Sequence, residues 1–325
     1  MKCLHARHSE AVTVSELCGL FGKSKQAYYK HDYDIELRRM SLEEFAVQFI
    51  REVKSKDPGI GGMKVWAMYC RTFPDRDRIG RDRFCDIFDR YGFKIRRRRR
   101  KVRTTDSRHD NPTYPNIVKE IIPTRFGEII VGDITYIPLE TVDGQRKFCY
   151  VSLLMDSYSK MILGSSVGMT LEAKYPMEAL SLAIKLLSAH GVELSTTIHH
   201  SDRGVQYTSS DYVTELRKSE MKISMTESGN PKDNAEAERI NNTLKNELFK
   251  DMIFTDIDQV KEALNKAVMF YNNERPHLSL EMRTPAAAAY ETGRFKRQWI
   301  SYREQAIDAM SACNVGKSTP ERATG

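Results

Sequence analysis

Over roughly the first hundred residues the apolar positions recur at helical spacing. Leu37, Met40, Leu42, Phe45, Phe49 and Ile50 fall near one face of a helix predicted over 37–54. Pro58-Gly59-Ile60-Gly61-Gly62 interrupts it, and amphipathic helical patterns resume over 63–71 and 81–91, where Gly92 is a stop signal. Ahead of these, 14–30 reads as two short helices around Gly22-Lys23-Ser24, with Ser24 as N-cap of the second. That spacing suits a helix-turn-helix, whose second helix would enter a major groove, and equally an ordinary helical hairpin. The chain then turns polar and proline-bearing, with Asn111-Pro112, Tyr114-Pro115 and Pro123, as linkers do.

Beyond Phe126 the period changes. Strand-like segments are predicted over 128–139, 147–154 and 160–169, with a turn at Asp143-Gly144 between the first two. A helix over 171–190, a strand over 193–199, a helix over 210–218, a short strand over 222–225 and a helix from Ala235 follow. The order βββαβαβα calls for an α/β fold, a mixed five-stranded sheet flanked by helices. A further helix is predicted over 256–272. The resulting division is a helix-turn-helix-like segment 1–35, a helical region 36–104, a linker 105–125, an α/β core 126–292 and a tail 293–325.

Composition narrows the function. Of 325 residues 40% are hydrophobic and 29% charged, and no run approaches the roughly 20 apolar residues a membrane span needs. The first ten residues, with Lys2, His5, Arg7, His8 and Glu10, lack a secretory apolar stretch, so the cytoplasm is expected. The six cysteines are scattered without a paired spacing and read as reduced thiols; a zinc site from Cys3, His5, His8 and Cys18 lacks the usual tight pairs. The formal charge is +7, and its distribution says more: Arg96, Arg97, Arg98, Arg99, Arg100 and Lys101 are consecutive, with no acid from Arg90 to Arg103. Such a run favours phosphates and releases their counterions, although a solvated linker has the same appearance.

Three acids stand in places where chemistry gathers. Asp133 lies among β-branched and apolar residues of the first predicted strand; Asp202 directly follows a strand, in His200-Ser201-Asp202-Arg203-Gly204. Glu238 lies on a helix whose apolar stripe is Ala237, Ile240, Leu244 and Leu248, and shares another stripe with Asn241, Asn242 and Lys245. Glu236 projects to the far side of the apolar stripe and is the decoy. Each acid alone has an ordinary explanation: a solvent-facing strand position, a turn former, a surface glutamate. Together, from a strand, a strand end and a helix, they can meet over one sheet edge and bind hard divalent cations through oxygen. Two Mg²⁺ ions about 4 Å apart, with Mn²⁺ as a second candidate, would activate an attacking oxygen and stabilise a departing one at phosphorus.

The segments Asp133-Ile134-Thr135-Tyr136, 200–209, Asp233-Asn234-Ala235-Glu236-Ala237-Glu238 and Tyr271-Asn272-Asn273-Glu274-Arg275-Pro276-His277 resemble the integrase core of insertion-sequence-three family transposases. They occur in the family's order, with 35 residues between Asp202 and Glu238, the D-D-35-E arrangement shared with retroviral integrases. The resemblance spans 126–290 and, more loosely, the helical N-terminus. It implies a ribonuclease-H-like core with Asp133, Asp202 and Glu238 as catalytic metal ligands and Lys245 touching DNA near the reacting phosphate. His200 and Arg203, beside the second acid, are further candidate DNA contacts.

The implied activity is that of a nucleoid-associated polynucleotidyl transferase. It would cleave DNA strands at element ends and join the exposed 3′-OH to another phosphodiester. Its expected partners are double-stranded DNA, namely terminal repeats and target, and further copies of itself. Many family members work as a fusion with an upstream-frame helix-turn-helix and zipper product; this chain has no heptad run, so such a partner is also expected. The competing readings are a DNA-binding repressor or inactive transposase relic, and a retrovirus-type integrase, for which no paired His and Cys zinc module is evident.

Overall fold

The structure is a computed structural model that describes residues 13–30, 33–95, 112–140, 146–227 and 234–296, with positions 299, 301, 304, 305 and 307–309 beyond. The basic run at 96–101 lies outside the described residues, as do Cys3, His5 and His8. The chain divides into two units, Met1–Glu52 with Tyr69–Lys94, and Val53–Met68 with Ile95–Gly325.

The first unit is helical. Helix α1 (Val14–Leu20) opens with a reciprocal cap, in which Thr13 Oγ1 accepts from the Glu16 amide while Glu16 accepts from the Thr13 amide. Helix α2 (Lys25–Lys30) begins where Ser24 Oγ accepts the Ala27 N–H at 3.1 Å, the cap expected from sequence. Helices α3 (Tyr33–Lys56), of which 33–52 fall in this unit, α4 (Gly62–Thr72), of which 69–72 do, and α5 (Arg81–Arg90) match the periodic stretches. Within this unit Phe49, Tyr69, Phe73 and Phe84 form an aromatic cluster with edge-on and tilted rings. The segment Val53–Met68, helical in pattern and assigned by sequence to 36–104, groups with the second unit.

The second unit holds the expected mixed sheet in the order β3-β2-β1-β4-β5. Strands β1 (Ile129–Glu140), β2 (Arg146–Asp156) and β3 (Ile162–Gly168) are antiparallel; β4 (Ile198–Ser201) and β5 (Lys222–Met225) add on parallel to β1. This is the mixed five-stranded sheet expected from the order βββαβαβα. Helices α6 (Lys174–Ala189), α7 (Val205–Thr208) and α8 (Ser210–Lys218) connect the strands. Helix α9 (Ala235–Thr243) runs on into a π turn, Leu244–Leu248, and α10 (Ile257–Asn273) and α11 (Pro285–Ala288) follow.

One sheet face carries the main core, where Ile130, Leu154 and Leu163 pack with Leu180, Ala183 and Leu187 of α6 and Tyr212 and Leu216 of α8. The strand-to-helix approach is close enough at Gly164 that a Cβ would stand 1.9 Å from the Ala179 carbonyl oxygen, so only glycine fits. Strand alternation sends Val131, Asp133 and Thr135 to the opposite face, where α9 lies.

The fourth strand departs from expectation. Residues 194–196 form a 3₁₀ turn, and β4 starts only at Ile198, opposite Ile129. The β-prone composition of 193–199 reads as strand, but pairing is possible only where β1 offers an edge. Cys18, Cys70, Cys85 and Cys149 are free thiols. No helix among the described residues is long and apolar enough to cross a membrane.

Candidate active site

The parallel pairing of β1 with β4 ends at Gly132 opposite Ser201. Asp133 is therefore the next residue of β1 and Asp202 the first residue beyond β4, brought side by side by register. The Asp133 carboxyl is held twice, by the Ile134 amide at 2.9 Å and by Asn241 Nδ2 at 2.7 Å. Burial and then the Asp202 charge push it up to about 7, with Glu238 adding to the rise; the two hydrogen bonds pull the other way. Asp202 Oδ1 accepts the Gly204 N–H at 2.9 Å, an Asx-type turn that aims the carboxyl as the chain enters α7.

Glu238 is exposed on α9. Its helix buries Ala237, Ile240, Leu244 and Leu248, the predicted apolar stripe. Two bonds attach the helix to β1: Asn234 Nδ2 to the Gly132 carbonyl at 3.3 Å, and Asn241 to Asp133. Asn241, one turn after Glu238, is buried; sequence placed it on the Glu238 stripe without identifying it as the Asp133 partner. Its spacing from Glu238 was the available signal. Glu236 points elsewhere, accepting from Ser157 Oγ at 2.6 Å and Lys160 Nζ at 2.8 Å in the turn between β2 and β3. That is a firmer attachment than the helix-terminal charge its position suggests.

Lys245 lies in the π turn, so a uniform helical register does not extend to it from Glu238. Its ammonium stands 4.1 Å from the centroid of Tyr136, on the strand that carries Asp133. Arg203 is half-buried, and its Nε donates to the Thr226 carbonyl at 2.6 Å. His200 requires a correction. It is 1% exposed, with Nδ1 2.9 Å from Ser224 Oγ, on an interior strand whose four residues are all buried. Its ring is turned to Ser224 rather than to solvent.

Asp133 and Asp202 offer oxygen donors suited to a hard divalent cation, and the buried Asn241 Oδ1 beside them has no hydrogen-bond partner among the described residues. Repulsion between the acids is what a cation would relieve. Among the described residues no three His, Cys, Asp or Glu side chains are gathered around one point. In keeping with this, Glu238 acts on Asp133 more weakly than Asp202 does.

Family models described as integrase core domain match residues 123–231 and 219–285. A protein of insertion element IS600 from Shigella sonnei is 27% identical over 275 residues, covering 83% of this chain and 96% of its own. The transposase of insertion sequence element IS629 from the same species is 27% identical over 285 residues, covering 86% and 92%. A protein of Mycobacterium tuberculosis assigned as the transposase of IS986/IS6110 is 30% identical over 258 residues, covering 76% of this chain and 88% of its own. With the topology and the paired acids already in place, these likenesses put the chain among the transposases of bacterial insertion sequences that carry an integrase core domain, the family to which it belongs.

Proposed function

We propose that Asp133, Asp202 and Glu238 are the metal-binding carboxylates of a polynucleotidyl transferase that cleaves DNA strands at element ends and joins the freed 3′-OH to another phosphodiester. The observation that supports it best is the register of β1 against β4, which sets Asp133 and Asp202 side by side, with the Glu238 helix bonded to Asp133 through Asn241. Bound Mg²⁺, for which Mn²⁺ could substitute, would lower the pKa of the attacking oxygen and stabilise the leaving one.

The chain's own groups orient the ligands. Asn241 holds one oxygen of Asp133 and the Gly204 amide aims Asp202, while Glu238, exposed on the same helix as Asn241, would join them by turning inward through its three side-chain torsions. Lys245, resting over Tyr136, is the DNA contact nearest this strand, with Arg203 beside the second acid and residues 96–101 on the duplex backbone. Residues 126–292 form the catalytic core on this reading, 1–35 and 36–104 contribute to DNA binding, and copies of the chain assemble on two element ends.

The test is a labelled element-end substrate cleaved by Asp133→Asn, Asp202→Asn and Glu238→Gln. Each should lose Mg²⁺-dependent cleavage by more than the roughly 10–100-fold that a second-sphere change costs, with DNA affinity kept. Near-normal cleavage by any one removes that residue from the set, and binding without cleavage by the wild type would favour the repressor reading.

A further inference from the structure

The segment 271–277 carries polar side chains at and beyond the end of α10 that the carboxylate site does not use. Arg275 is 1% exposed and Asp57 0%. Arg275 Nε donates to Asp57 Oδ2 at 3.0 Å, Nη2 donates to Glu247 Oε2, and Nη1 lies 3.3 Å from His277 Nε2. Lys64 Nζ is 3.7 Å from the same Glu247 oxygen. Two acids and two bases thus balance in a set drawn from three parts of the chain, with Arg275 and Asp57 buried and Glu247 and Lys64 half-buried. Burial opposes the Arg275 charge, but Glu247 and Asp57 more than offset it and hold the guanidinium above its ordinary value. Buried ion pairs of this kind roughly break even against apolar packing, so stability alone is a weak reason for the set, whereas fixing a register is a well-attested one.

The register at stake is that of α9. Glu247 belongs to the π turn that directly continues it. The Gly59 amide donates to the Glu247 carbonyl at 2.9 Å, and a Cβ on Gly59 would stand 2.1 Å from Glu247 Cα, so the 57–60 turn presses on the π turn backbone itself. Asn272 ties α10 to β3, donating to the Ile162 carbonyl and accepting its N–H, both at 2.9 Å. A π turn holds one more residue than an α turn. Relaxing it to α geometry would rotate the helix on one side of it by about 100° relative to the other. Such a slip would turn Glu238 away from Asp133 and Asp202.

We propose that Arg275, together with Asp57, is a positioning residue that clamps Glu247 and keeps the π turn in register, so that Glu238 faces the other two acids. The proposal rests on the reading of Glu238 as a metal ligand. The experiment uses the full chain carrying Arg275→Met, Arg275→Lys or Asp57→Asn, with Leu187→Ala as a core-destabilised control on the opposite sheet face. Hydrogen exchange of amides 235–248, the Mg²⁺ concentration for half-maximal cleavage, and DNA affinity without metal are measured on each.

Arg275→Met should speed exchange across 235–248 at least about tenfold while β1 and β4 stay protected. It should also raise the Mg²⁺ requirement about tenfold, with DNA affinity unchanged and partial rescue in Arg275→Lys. Leu187→Ala should lower the melting temperature without either effect. An Arg275→Met protein that melts early like the control, yet keeps wild-type exchange in 235–248 and wild-type Mg²⁺ dependence, overturns the proposal. If Arg275→Met does not fold, Arg275→Lys and Glu247→Gln carry the same comparison. Normal cleavage by Glu238→Gln would instead overturn the ligand reading, and the exchange measurement would still decide whether Arg275 orders the helix.

Discussion

Asn241 donates from Nδ2 to Asp133 Oδ2 at 2.7 Å, so the helix that carries Glu238 is bonded directly to the strand that carries the first acid. Its other amide atom, Oδ1, is buried without a partner among the described residues. Asn241→Ala should therefore cost more in rate than in stability. We expect kcat/KM for end cleavage to fall about 10–100-fold. Stability should change by no more than about 1–2 kcal/mol, since one bond to an acid is lost while an unsatisfied oxygen is removed. Single-turnover cleavage and urea unfolding on the same preparation check it; an unaltered rate would show that Asp133 needs no such anchor.

Glu236 and Glu238 make opposite predictions from one helix. Glu238→Gln should eliminate cleavage and strand transfer at little cost in stability. Glu236→Gln should retain most activity and lose at most about 1 kcal/mol, because its ion pair with Lys160 is partly exposed and screened. Paired assays on one end substrate discriminate them, and the reverse pattern would mean that the helix faces the cleft with the wrong side.

Neutralising all six residues of the basic run 96–101 should weaken binding to every DNA sequence alike and flatten the dependence of log K on log salt by about 0.9 per lost phosphate contact. Filter binding between low and moderate salt reads this directly. Unchanged affinity and slope would leave the run as a charged connector.

His199 supplies a pH prediction. Burial, and secondarily the neighbouring His200, lower it to about 3 from an ordinary value of 6.5; its Nε2 lies 2.9 Å from Tyr212 Oη. A depressed folded value means that the unfolded chain binds the extra proton first. The stabilisation is complete above about pH 6.5 and is lost as pH falls toward 3. Relative to His199→Gln, the wild type should lose about 1.4 kcal/mol per pH unit between pH 6 and 4. Parallel slopes in denaturant titrations at several pH values would exclude a neutral buried imidazole.

Element type and order are legible in the sequence because they rest on local pattern: β-prone, apolar runs over the first three strands and a 3.6-residue stripe in Ala237, Ile240, Leu244 and Leu248, the stripe buried as expected. Turn and cap chemistry is equally local, as Ser24 shows. The candidate acids are legible for a related reason, since their motifs are contiguous runs whose residue types survive without knowledge of their neighbours.

What lies beyond local pattern is pairing. The start of β4 depends on where β1 offers an edge, so 194–196, β-prone by composition, coil into a 3₁₀ turn instead. His200 carries the right chemistry for a DNA contact, yet the fold leaves it 1% exposed on an interior strand. The side-by-side placement of Asp133 and Asp202 comes from the pairing of Gly132 with Ser201, a register that neither segment contains alone. Most distant of all, Arg275 finds Asp57 across 218 positions, which takes Val53–Met68 out of the helical region its own periodicity suggests and into the unit that holds the sheet. Sequence by itself determined the elements and their candidate chemistry, because backbone sterics and side-chain period act over a few residues. Only the tertiary structure decided which of those groups meet, because a buried charge or an unpaired strand edge is satisfied by whatever partner the whole fold brings to it.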